Sequence, residues 1–139
     1  MNSDFNWVKA RAECSAAQVF KELELGAKED VEKRNLLRSP EEQFRFLVAQ
    51  AGPDRFAVIR EAARGSRSVD FMLAHSIISV DAGLSKFSGV ITLNNFGECR
   101  LRVGNDELEQ WQFRRKALEQ LFFSEIQIQL ERIGGSPKE

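Results

Sequence analysis

Apolar and polar positions alternate with two different periods along this chain, and the change of period marks its elements. From about Asp4 to Leu37, the residues Phe5, Val8, Ala12, Ala16, Val19 and Leu23 recur at steps of three and four. At about 100° per residue this spacing lays them along one stripe of a helix. Ser3 or Asp4 supplies a cap for its start. Gly26 is a point where the helix bends, breaks or continues at a cost of about 1 kcal/mol. Pro40 closes the segment, because its ring disfavours helical backbone at Ser39.

The stretch from Ser39 to Gly65 carries two competing signals. Ser39, Pro40 and Glu42 form a helix start, with a cap, a first-turn proline and a capping-box acid. Phe44, Phe46 and Val48 nevertheless alternate, as do Phe56 and Val58 beyond "AGPD", which reads as two strands and a turn. Strands are favoured because the following region needs partners for a sheet. There, Val69, Phe71 and Leu73 alternate in "RSVDFML", and "SIISVDAG" is β-branched and ends in turn residues. "FSGVITLNNFGECRLRVGN" is the clearest hairpin, with Gly97 suited to a left-handed loop position. Cys99, Leu101 and Val103 alternate with Arg100 and Arg102, giving one buried and one wet face.

Asp106, with Glu109 at capping-box spacing, predicts a helix over 106–133 followed by a tail over 134–139. With Trp111 at 0°, Leu108, Leu118, Phe122, Ile126 and Ile133 fall within about 60° of it and form the expected core stripe, which Leu121 and Leu130 widen. Arg115, near 40°, lies inside that stripe and has to snorkel or meet a carboxylate. Phe113, near 200°, and Phe123, near 120°, lie off it, and such residues are either second-side core, where the helices touch each other as well as the sheet, or exposed contact surface. Trp7, Cys14 and Leu25 are likewise off the stripe of the first helix, and Phe96 occupies the "NNFG" loop. The pattern predicts one α+β domain over 1–139: helical at 4–37, mainly strands at 43–104, helical at 106–133. Its architecture is an antiparallel β-meander flanked by a long N-terminal and a long C-terminal helix.

Composition narrows the function classes. The chain has 139 residues and a formal net charge of -1, which argues against a dedicated nucleic-acid binder. Eleven Phe and no Tyr point to apolar packing over polar ligand reading. No apolar run reaches the length of a membrane span, and the first residues show no leader pattern, so no membrane partner is expected. Cys14 and Cys99 are isolated from each other and from histidine, and read as buried free thiols of a cytoplasmic protein, with a disulfide as the alternative if the fold brings them together.

Candidate chemistry is sparse. The single histidine, His75, is a conceivable proton shuttle between two apolar strands. Arg60, Arg64 and Arg67 surround Gly65 and Ser66, a turn able to hold an anion. No catalytic constellation or metal-ligand spacing emerges, and no cofactor is expected. The reading that follows is a non-catalytic protein-interaction or self-associating domain, with Trp7, Phe96, Phe113 and Phe123 as interface candidates. The alternative is a small-ligand-binding protein or weak enzyme, with a cavity between sheet and helix and His75 or the arginine turn as its polar handle.

Overall fold

A computed structural model describes residues 4–135, with side chains described through 123. The expected cap Ser3, the side chains of Ile126, Leu130 and Ile133, and the tail from 136 lie outside the described residues. The α+β architecture is as expected: helices, then an antiparallel meander, then a long helix. Seven strands follow one another in sequence order across one sheet. They are β1 (Phe44–Gln50), β2 (Arg55–Ala62), β3 (Arg67–Ala74), β4 (Ile77–Asp81), β5 (Lys86–Leu93), β6 (Cys99–Val103) and β7 (Asp106–Leu108). The competition over 39–65 resolves as strands, with Phe46 opposite Arg60 and Val48 opposite Val58 in the β1–β2 hairpin. Local helix-start chemistry loses there because alternation buries Phe44, Phe46, Phe56 and Val58 on one face.

The N-terminal helix breaks, but not at Gly26. It divides into α1 (Trp7–Glu13) and α2 (Ala16–Leu36) at Cys14 and Ser15. Ser15 is extended and its hydroxyl accepts from the Gln18 N–H, while Asn6, not Ser3 or Asp4, caps α1 in the same way. Val19, Phe20, Leu23, Ala27 and Val31 of α2 face the sheet, whereas α1 buries nothing, leaving Phe5 and Val8 exposed. Cys14 is bonded to Cys99, with Cα atoms 5.5 Å apart. This corrects the expectation of free thiols, which rested on separation in sequence. The β5–β6 hairpin returns Cys99 beside the end of α1. Phe5 lies over Gly97 so closely that a Cβ there would clash with its ring.

The C-terminal helix, α3 (Gln110–Gly135), starts later than expected, because Asp106 to Leu108 form the last strand. Its N-terminus is capped by Gln112, whose side-chain oxygen accepts from the Glu109 N–H at 2.8 Å. The helix is also rotated by roughly a quarter turn from the phase that the apolar pattern predicts. Phe113, expected off the stripe, has 0% exposure, and Trp111, taken as the stripe's reference, has 50%. The reason is Gly89. A Cβ at that position would meet the Phe113 ring at 2.5 Å, so only glycine lets the ring seat on β5. Phe113 then joins a chain of rings, 5.3 Å from Phe87 and 6.5 Å from Phe71, which stacks 4.6 Å from Phe56. The abundance of Phe is thus a packing feature of the space between sheet and helices.

At the strand edge, the Asn35 amide of α2 bonds both the N–H (3.0 Å) and the C=O (2.8 Å) of Phe46. A side chain replaces the missing neighbour strand of β1.

Two expectations follow. Phe113→Ala should destabilise the chain by about 3–5 kcal/mol and Trp111→Ala by less than about 1 kcal/mol in urea unfolding; equal losses would return α3 to the predicted phase. A bond linking residues 85 apart contributes roughly 4–5 kcal/mol by chain entropy, so its reduction should lower the unfolding midpoint. In hydrogen exchange, reduction should release the amides of α1 before those of α2; unchanged α1 protection would show that α1 does not depend on the bond.

Candidate functional site

The last turn of α2 places Arg34 where α2, the start of β1 and α3 meet. Its residue exposure is 6%, so its charge has to be satisfied by neighbours. Nε donates to the Phe122 carbonyl at 2.8 Å, and the two terminal nitrogens each reach one Glu42 carboxylate oxygen at 3.3 Å. The guanidinium carbon lies 5.1 Å from the Phe46 and Phe123 ring centres and 5.9 Å from that of Phe44. At Phe123 the backbone of α3 leaves helical geometry (φ -130°, ψ 29°). A side chain reaching into the helical carbonyl ladder is a recognised cause of such a kink, and Arg34 does so one residue before it.

Above this node a groove of about 380 Å³ runs between α2 and α3. Leu118 and Phe122 lie at its base, and Leu37, Trp111 and Phe123 present half-exposed or exposed apolar surface along it. Its charged groups are largely paired. Arg114 Nε donates to Asp30 at 2.7 Å, and Arg115 Nε to Glu119 at 3.2 Å. Arg114 is the arginine inside the buried stripe, since rotation of α3 turns Arg115 outward. Arg115, expected to snorkel outward or meet a carboxylate, points outward and pairs with Glu119, while the buried pairing within the stripe is that of Arg114 with Asp30. The guanidinium end of Arg114 lies directly against Gly26, where a Cβ would oblige that flexible side chain to shift.

The ligand candidates do not converge. His75 lies in the β3–β4 turn, exposed and with φ 60°. Arg64 lies in the β2–β3 turn and Arg67 opens β3, so the eight residues of β3 separate them from His75 by roughly 25 Å. Arg60 lies on β2 with its guanidinium carbon 4.0 Å from the Phe44 ring centre. None of the four lines the groove. Between the sheet and α3, where the alternative reading looks for a cavity, Phe56, Phe71 and Phe113 are packed with 0% exposure among the described residues. Among the described residues no cluster of three or more His, Cys, Asp and Glu could hold a metal ion. No helix there is long and apolar enough to cross a membrane.

The interface candidates separate into three environments. Trp7 and Phe96 are exposed at the α1 and β5–β6 end, Phe123 borders the groove, and Phe113 is core and offers nothing to a partner. Sequence reasoning missed Trp111 as surface and Arg34 as a buried hub. A signal for Arg34 was present: the periodicity Phe20, Leu23, Ala27, Val31 continues by three residues onto it.

No protein-family model matches the chain, and neither the curated proteins nor the solved structures contain a match.

The Arg34 hub makes a testable demand. Arg34→Ala should cost about 3–5 kcal/mol in urea unfolding, because it strands Glu42 and the Phe122 carbonyl. Joint replacement of Arg34 by Met and Glu42 by Leu should recover part of that loss; an unaffected midpoint in Arg34→Ala would remove Arg34 from the centre of the fold.

Proposed function

We propose that this chain is a non-catalytic interaction domain that self-associates through the groove between α2 and α3. The observation that carries this reading is the pair Trp111 and Phe123, two aromatic side chains at 50% and 43% exposure on one helix, beside an apolar floor. Large aromatics left half-open in a concave surface are the residues that anchor protein contacts when desolvated. Leu37, exposed on the opposite wall, extends the same surface. Most of the rim charges, Arg114 with Asp30 and Arg115 with Glu119, are already paired within the chain, so burial of the groove strands few of them.

A small-ligand reading has less support. The groove is open, and neither His75 nor the arginine turn reaches it. The cytoplasmic setting expected from the sequence goes with reduced cysteines. The Cys14–Cys99 bond removes that support and speaks for an oxidising setting.

Sedimentation velocity over a range of concentrations tests the proposal. Wild type should show concentration-dependent association, and Trp111→Ala with Leu37→Ser, two exposed groove residues outside the Arg34 hub, should sediment as a monomer with a nearly unchanged melting temperature. A wild type that stays monomeric at the highest attainable concentration overturns self-association.

A further inference from the structure

Four residues of α3, Trp111, Arg115, Glu119 and Phe123, are all exposed and all line the groove. They follow one another at steps of four, so they form one inclined ridge along the helix, about 18 Å from end to end. Read in order, the ridge is aromatic, positive, negative, aromatic. Its midpoint falls at the level of Ala117, six residues from each aromatic and two from each charge, although the Ala117 side chain itself is buried on the opposite face of the helix. A two-fold axis through that midpoint reverses the ridge and lays it on itself. Each aromatic then meets an aromatic, and each charge meets its opposite.

The geometry points to an isologous dimer in which the α3 helices of two copies cross antiparallel between Arg115 and Glu119, at the level of Ala117. Trp111 packs against the partner's Phe123, and Arg115 faces the partner's Glu119. This inference rests on the self-association reading above and specifies its contact. A second copy is the occupant because the ridge complements itself in charge; a single-sign ridge would call for a partner of opposite sign. Two-fold pairing requires this property, since the same patch serves both subunits. The helical geometry is compatible as well. An axis through the ridge sets the side chains of the two ridges end against end, so the helices stand far enough apart for the long Trp, Arg, Glu and Phe side chains to meet between them. Within one chain Arg115 and Glu119 already bond at 3.2 Å, with both side chains more than half exposed. In the dimer each carboxylate receives a second guanidinium, and the two pairs close into a four-charge ring. Isolated exposed pairs contribute little, whereas such a network between apolar anchors orients the contact.

Charge reversal with mixing separates this contact from any other. Arg115→Glu alone and Glu119→Arg alone each place like charges across the axis, and each should weaken dimerisation about tenfold at low salt. An equimolar mixture of the two variants should dimerise about as well as wild type, because every cross-axis pair in the mixed dimer is then opposite in sign. Damage to the bond inside one chain cannot be repaired by mixing, so recovery reports the contact between copies. A wild-type dimer indifferent to both reversals and to Trp111→Ala overturns this pairing and leaves self-association standing. Weakened variants that do not recover on mixing also overturn it. A monomeric wild type overturns both.

Discussion

The arrangement of this molecule depends on how closely α3 can approach its neighbours, and the approach of a rigid group is tightest where the Phe113 ring meets Gly89. Gly89 opens the floor of β5 to that ring, and the Arg114 guanidinium lies against Gly26 on the flank of α2. The two contacts lie one residue apart on α3 and about 100° apart around it. The ring contact at Gly89 sets the rotation of α3, and Arg114, held by Asp30, follows it. With Phe113 directed at the sheet and Arg114 at α2, Trp111 and Arg115 can only face outward. The exposed ridge is therefore a by-product of where the core admits close contact. Close packing leaves little freedom to turn the helix back, since a rotated helix would have to place another group against Gly89.

Arg34 plays a complementary part at the other end of the same helix pair. A buried guanidinium is costly unless nearly all its donors are used, and here it bonds a carboxylate and a backbone carbonyl among aromatic faces. These contacts tie the last turn of α2 to the Phe123 kink. The groove is thus held at both ends by an arginine, Arg114 bound to Asp30 and Arg34 bound to Glu42. Its apolar floor lies between two polar clamps.

The sheet was legible in the sequence because strand burial has a period of two, which any few residues display. Phe46, Val58, Phe71 and Leu101 all fall on the face their alternation assigns. The phase of α3 was not legible. Trp111, Phe113, Leu118, Phe122 and Phe123 surround too much of the helix for hydrophobicity alone to choose an inward direction. The choice was made by Gly89 on another element, a non-local constraint that a helical wheel cannot contain. The Cys14–Cys99 bond was hidden for the same reason, since only the returning β5–β6 hairpin brings the two together. For the site, the excess aromatics of this helix were visible, but Phe113 and Trp111 exchanged roles, and Arg115 stood in for Arg114.

The Asn35 amide on Phe46 has a consequence for how copies of this chain can grow into larger bodies. A sheet with two free edges can add copies without limit, strand to strand, as a fibril does. Here α2 already occupies the hydrogen-bonding groups at the centre of β1, and the opposite edge, β7, is only three residues long. Neither border of the sheet offers a long template. Polymerisation through the backbone is blunted at both borders, which leaves side-chain surfaces, with their finite and self-limiting geometry, as the place where this chain meets other molecules.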